Sequence, residues 1–149
     1  MLRRALVLTA VALIAAPAAV AKSGKWSYGG EVYLEPESRV SFDVVRKKRG
    51  GKKKIKNAFV ENVFAGCGDS ISTISTPIPT KATLKKGGKG FKLNAIGPLQ
   101  ELHVSGKVTA RGKKAYGTLH LKGSFVVDGE TKSCDTGPRN WTAKLTSGP

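Results

Sequence analysis

A dense run of positive charge lies in the first half of the chain. The segment RKKRGGKKKIK, residues 46–56, holds eight Lys or Arg in eleven positions around Gly50 and Gly51. Ammonium and guanidinium groups bind phosphate, sulfate and carboxylate oxygens, and a cluster of them displaces counterions from a polyanion. The sequence therefore predicts a polyanion-binding site made of Arg46, Lys47, Lys48, Arg49, Lys52, Lys53, Lys54 and Lys56. A second basic turn, with Lys85, Lys86 and Lys89, is predicted to extend the patch.

The same run has a simpler interpretation as a hydrated turn. If the flanking segments pair as a hairpin, like charges face each other across it and repel unless an external anion neutralises them. The run contains no aromatic residue that could stack on bases, so specific nucleic-acid recognition is not expected. The expected partners are anionic polymers or surfaces outside the cell: wall polymers, lipopolysaccharide, anionic lipid headgroups and extracellular DNA.

Residues with catalytic potential are sparse. His103 and His120 are the only histidines, and each alternates with polar residues, which predicts two solvated side chains rather than catalytic bases. The sequence contains no G-x-S-x-G, H-E-x-x-H or P-loop motif, and it predicts no catalytic residue, metal site or cofactor. A secreted glycan hydrolase stays open as an alternative, since two carboxylates about 5 to 10 Å apart could meet only in the folded protein. A carbohydrate-binding module is another alternative, with Trp26 and Tyr28 on one strand face as a stacking platform.

The N-terminal segment is typical of an export signal. Arg3 and Arg4 precede an apolar run, and Ala19-Val20-Ala21 follows as an A-x-A cleavage site. The apolar run is shorter than the roughly 20 residues that span a bilayer, so no transmembrane span is expected. Residues 1–21 are therefore predicted to be a signal-peptide helix, cleaved near Ala21. Residues 22–149 would then form one domain that is secreted or stays in the periplasm or cell envelope.

Charge and cysteine content fit that location. The chain has 26 basic and ten acidic residues, and removing residues 1–21 takes away two basic residues and leaves a net charge of +14. Cys67 and Cys134 are the only cysteines, and an even pair in an exported chain predicts a disulfide.

Short alternating segments bounded by Gly, Pro or charged turns predict an all-β domain. In residues 39–45 Val40, Phe42 and Val44 share one face, and residues 54–64 are predicted to return beside them with Ile55 and Phe59 on one face. The predicted architecture is a two-sheet antiparallel sandwich, with a small β-barrel as the alternative. Further strands are predicted in residues 90–96, 99–112, 115–127 and 140–145, with an edge strand and loop in the proline-containing residues 70–83.

The C-terminal run CDTGPRNWTAKL, after AYGTLHLKGSF, resembles the ending of a loose group of small, uncharacterised, exported β-rich bacterial proteins. The matching positions are Ala115, Gly117, Thr118, Leu119, Cys134, Thr136, Gly137, Trp141 and Ala143, with Phe59 and Cys67 upstream. The resemblance implies a sandwich-like fold and a secreted location, and it implies no activity. Together, these observations predict an exported, non-catalytic, basic β-domain that associates with anionic polymers.

Overall fold

The computed structural model describes residues 23–48, 50–79, 81–85 and 90–149. The predicted signal peptide lies outside the described residues. The described chain is built from strands and contains no helix. The ten strands are β1 (Gly24–Val32), β2 (Glu35–Arg46), β3 (Lys54–Cys67), β4 (Ser70–Ile78), β5 (Ala82–Thr83), β6 (Gly90–Ile96), β7 (Gln100–Val108), β8 (Lys114–Val127), β9 (Glu130–Asp135) and β10 (Arg139–Ser147).

All strand pairings are antiparallel, which confirms the predicted class. The strands form one hydrogen-bonded sheet in the order β10-β1-β2-β3-β9-β8-β7-β6, and β8 also pairs with β10. That extra pairing closes a ring of six strands, so the sheet wraps around the core as in the barrel alternative. Strand β4 pairs with β3 alone among the described strands, which places the Pro77 segment at an edge as predicted.

Two bulges in β3 change which residues face the core. Asn57 and Asn62 have positive φ angles of 50° and 53°, and the pairing register of β3 shifts beside each of them. A bulge inserts one residue and reverses the alternation beyond it. Ile55 is therefore fully buried, whereas Phe59 points outward and is 37% exposed. The prediction that Ile55 and Phe59 share a face is wrong for this reason.

The core is centred on four aromatic rings from four strands. Phe42 stacks on Tyr28 with ring centroids 5.0 Å apart and contacts Phe91 and Trp141 at 5.3 and 5.8 Å. Trp141 is 1% exposed, and it fills the space inside Gly106, where a Cβ would lie 2.6 Å from its ring. Position 106 is therefore a glycine because a larger side chain would clash with the Trp141 ring, and not because the chain turns there.

The predicted disulfide between Cys67 and Cys134 is confirmed. The two residues are direct partners in the short pairing of β3 with β9, and their Cα atoms are 4.1 Å apart. Both cysteines are buried beside the core. The bond thus joins the first and second halves of the chain at the short pairing of β3 with β9, which is part of the ring of strands.

No helix in the described residues is long and apolar enough to cross a lipid bilayer.

Candidate polyanion-binding site

The basic run forms the predicted hairpin between β2 and β3. Val45 pairs with Lys54, and the chain reverses through a turn in which the Gly51 amide donates to the Lys48 carbonyl at 3.0 Å. Gly50 has a φ of 73°, a left-handed conformation that glycine adopts without steric cost. The two glycines thus set the turn, and the strands on either side carry the cations. Arg49 lies outside the described residues.

Five of the lysines lie on the outer side of the hairpin, Lys54 and Lys56 in β3 and Lys47, Lys48 and Lys52 in the turn. A shallow recess of about 190 Å³ lies there, and it is lined by Val45, Gly51, Lys47, Lys48, Lys52, Lys54 and Lys56. Among the described residues, none of these five lysines takes part in an ion pair. We call these five residues the outer lysine cluster. Its positive charges converge on one surface, and none of the described residues that line the recess is an Asp or Glu.

Arg46 and Lys53 point to the opposite side of the hairpin. The Arg46 guanidinium lies 5.5 Å and the Lys53 ammonium 5.0 Å from the centre of the Trp26 ring. A cation over the face of an indole is attracted by the ring quadrupole within about 6 Å. These two cations therefore lie against an aromatic ring and do not line the recess of the outer lysine cluster.

The nearest carboxylate to the hairpin is already engaged. Asp43, opposite Lys56 in the pairing of β2 with β3, accepts hydrogen bonds from Ser27 at 2.8 Å and Asn57 at 2.7 Å. Lys25 completes the group with its ammonium 3.0 Å from the Asp43 carboxylate. Burial acts to raise the pKa of Asp43, but these hydrogen bonds and the Lys25 charge outweigh it and hold that pKa below its usual value.

Strand β5 brings Lys85, the one described lysine of the second basic turn, toward the hairpin. This strand pairs with the start of β3, and the Leu84 amide donates to the Lys53 carbonyl at 2.9 Å. The next residue, Lys85, bonds through its amide to the Gly90 carbonyl at 2.9 Å and so links β5 to β6. Lys86 and Lys89 lie outside the described residues.

Trp26 and Tyr28 do not form a shared stacking platform. Tyr28 is 4% exposed, stacks inside the core on Phe42 and donates its hydroxyl to the Gly112 carbonyl at 2.7 Å. Burial also raises the pKa of this hydroxyl. Trp26 is half-buried and lines a recess of about 250 Å³ with Lys53 and Arg111. Tyr28 also borders this recess, but its ring is stacked in the core, so Trp26 offers the larger exposed surface of the two.

The two histidines lie on the outer, solvated face, as predicted. His103 and His120 are direct partners across β7 and β8. The His120 Nε2 atom lies 2.7 Å from an oxygen of Asp135, and the His103 Nδ1 atom lies 3.2 Å from the Asn94 side-chain oxygen. The pKa of Asp135 lies below its usual value. The largest cause is a hydrogen bond from the Gly137 amide, and the second largest is the hydrogen bond with His120.

Sequence reasoning missed this histidine pairing, because register is set by the whole sheet and leaves no local signal. Clusters of three or more His, Cys, Asp or Glu that could bind a metal ion are absent from the described part of the chain.

No family model, curated protein or solved structure matches this chain. The resemblance to small exported β-rich bacterial proteins stays a prediction.

Proposed function

We propose that this protein is an exported, non-catalytic basic domain that associates with anionic polymers through the outer lysine cluster. The observation that carries the proposal is the recess in which Lys47, Lys48, Lys52, Lys54 and Lys56 converge with no ion-pair partner among the described residues. Five ammonium groups so close together repel one another, and a polyanion relieves that repulsion while it releases its own counterions.

The ligands that suit this surface are polymers with repeated negative charge. Lysine binds as a flexible point charge, so the cluster recognises charge density rather than a planar or sequence-defined group. Wall polymers, lipopolysaccharide, anionic lipid surfaces and extracellular DNA all present such charge outside the cytoplasm. The Cys67–Cys134 disulfide fits an oxidising location of this kind.

The engaged state of three carboxylates, two of them buried, favours binding over glycan hydrolysis. A glycosidase needs two carboxylates that face each other across a cleft and are available to the sugar. Glu35 accepts from the Arg139 side chain at 2.8 Å, Asp43 binds Lys25, and Asp135 contacts His120. Glu35 and Asp43 are thus held in ion pairs, and Asp135 is held in a hydrogen-bonded contact.

The proposal is tested by removing charge from the cluster. In the triple variant Lys52→Gln, Lys54→Gln, Lys56→Gln, we expect affinity for lipoteichoic acid, lipopolysaccharide and double-stranded DNA to fall by about tenfold or more at about 50 mM salt. The three positions are exposed or half-buried, so the fold should be retained. Binding is measured by fluorescence anisotropy or biolayer interferometry.

The control variant carries Lys122→Gln, Lys132→Gln and Lys144→Gln, which lower the net charge equally on β8, β9 and β10. These lysines lie outside the hairpin recess. If both triple variants lose affinity equally, the effect is one of net charge and the hairpin is not a site. If wild-type protein ignores all three polymers at low salt, the proposal is wrong.

A further inference from the structure

Another recess, separate from those beside the hairpin and Trp26, lies on the outer face of the sheet formed by β6, β7, β8 and β10. It has a volume of about 440 Å³, within the range of ligand sites. Its lining residues are Lys85, Gly90, Phe91, Lys92, Ser105, Gly106, Lys107, Tyr116, Gly117, Thr118 and Asn140. We call this recess the outer groove. It shares no lining residue with the recess of the outer lysine cluster.

The strand register arranges the polar side chains of the outer groove in two parallel rows. In one row Ser105 lies between Lys92 and Thr118, and Asn140 follows on β10. In the other row Lys107 and Tyr116 are direct partners. Neighbouring strands are about 4.8 Å apart, so each row presents evenly spaced groups to an extended ligand.

The chemistry of the first row suits a hydroxylated ligand. The Ser105 and Thr118 hydroxyl oxygens are 2.9 Å apart and bond to each other. Each hydroxyl keeps further hydrogen-bonding capacity, and the Asn140 amide adds donors and an acceptor. Neutral groups of this kind pair with sugar hydroxyls better than with a bare row of phosphates.

The second row adds an exposed aromatic ring beside positive charge. Tyr116 is 50% exposed at an outward-facing position of β8. Its ring offers an apolar surface and its hydroxyl a polar tip, a combination enriched at recognition surfaces. Lys85, Lys92 and Lys107 line the same groove, and no Asp or Glu lines it among the described residues.

We propose that the outer groove binds an acidic polysaccharide, with the Tyr116 ring against a sugar face and Lys92 and Lys107 on carboxylate or sulfate groups. Single-stranded nucleic acid fits less well, because its binding sites stack successive bases on several aromatic side chains and the groove exposes one. This inference goes beyond the proposed function. The outer lysine cluster binds any polymer of high negative charge, whereas the outer groove prefers polymers built from charged sugars.

The test distinguishes the contribution of the Tyr116 ring to binding from that of the lysine charges. The variant Tyr116→Thr removes the ring, keeps every cation and supplies a residue that favours strands. We expect it to weaken binding to polygalacturonate and dextran sulfate by about three- to tenfold. Binding to inorganic polyphosphate should change by less than about twofold, because that polymer has no sugar face to stack. The two glycans distinguish carboxylate from sulfate as the preferred anion.

A matched control removes an exposed ring elsewhere. Phe64 on β3 is 40% exposed and does not line the groove, so Phe64→Thr should bind all these polymers as wild type does. The pair Lys92→Gln, Lys107→Gln should weaken both glycans more than neutral dextran. Thermal unfolding of each variant verifies that the fold is intact.

Single-stranded oligo-dT is measured beside the glycans as the nucleic-acid probe. Three outcomes would overturn the inference: Tyr116→Thr binds the acidic glycans as tightly as wild type, it loses affinity for glycans and polyphosphate equally, or it loses affinity for oligo-dT alone. The triple hairpin variant identifies which claim has failed. If that variant binds every polymer normally while Tyr116→Thr loses acidic glycans, the proposed function is wrong and the outer groove stands. The reverse pattern rejects the groove and keeps the hairpin.

Discussion

At the scale of single residues, Asp43 shows how the fold manages charge next to the basic hairpin. Asp43 is 7% exposed, and its carboxylate contacts the side chains of Ser27, Asn57 and Lys25. Asn57 is also the residue of the first bulge, with a φ of 50°. The bulge therefore turns the Asn57 amide toward Asp43, and one polar cluster fixes both the bend and the carboxylate.

The lowered pKa of Asp43 makes its contribution depend on pH. The folded-state pKa lies below the unfolded value of about 3.9, so the carboxylate stabilises the fold fully above that pH. The contribution is lost as pH falls through the folded-state pKa. We expect Asp43→Asn to lower the free energy of unfolding by about 1 to 3 kcal/mol at pH 7, with a smaller difference below about pH 4.

Urea denaturation at several pH values measures this effect. Asp128→Asn is the matched control, because Asp128 lies in an exposed turn with a φ of 51°, which Asn also tolerates. A difference between wild type and Asp43→Asn that stays constant from pH 7 to pH 3 would contradict the role given to this carboxylate.

At the scale of elements, strand alternation divides the basic run into two sets that sequence reasoning treated as one. The hairpin and its eight cations could be predicted, because the run is flanked by alternating apolar residues and centred on two glycines. The contact of Arg46 and Lys53 with the indole could not, since it depends on the pairing of β1 with β2, which places Trp26 opposite Val44. The bulges in β3 were equally hidden, as Asn57 and Asn62 carry no turn signal that distinguishes a bulge from a loop.

The close approach of β7 and β8 makes a sharp prediction about Gly117. A Cβ there would lie 1.9 Å from the Ser105 carbonyl oxygen and 2.6 Å from the Gly106 Cα atom, both backbone atoms that cannot move separately. We expect Gly117→Ala to destabilise the protein by about 3 kcal/mol or more, measured by urea denaturation.

Gly90 provides the comparison for this substitution. It also lies in a strand beside the outer groove, but a Cβ at Gly90 would meet no atom of the described residues within 4 Å. Gly90→Ala should leave stability within about 1 kcal/mol of wild type. Equal effects at the two glycines would show that backbone proximity is not what requires Gly117.

At the scale of the whole molecule, a closed ring of strands and one disulfide hold together a chain with a large excess of positive charge. The all-β class, the antiparallel pairing and the cysteine pair could be predicted from alternation and composition. Strand order and closure could not, because the pairing of β10 with both β1 and β8 joins segments far apart in sequence. The outer groove was missed for the same reason, since its two rows exist only once four strands are in register.

The disulfide should contribute strongly to stability. It links residues 67 positions apart, and in the chain-entropy model closing a loop of this length stabilises the fold by about 4 kcal/mol. Replacing Cys67 and Cys134 together by Ala should lower the free energy of unfolding by about that amount, measured in urea. Reductant should then weaken wild type toward the variant and leave the variant unchanged. A loss below about 1 kcal/mol would show that the ring of strands holds without the bond.

The central claim is that the outer lysine cluster meets a polyanion directly, and its most direct test is the salt dependence of binding. Affinity for a double-stranded DNA fragment, used as a plain polyanion, is measured between about 50 and 200 mM salt for wild type and for the variant with Lys52, Lys54 and Lys56 changed to Gln. Each lysine contact contributes roughly 0.9 to the slope of log affinity against log salt. We predict that the slope of the variant is shallower by about 2 to 3, and equal slopes would contradict the account.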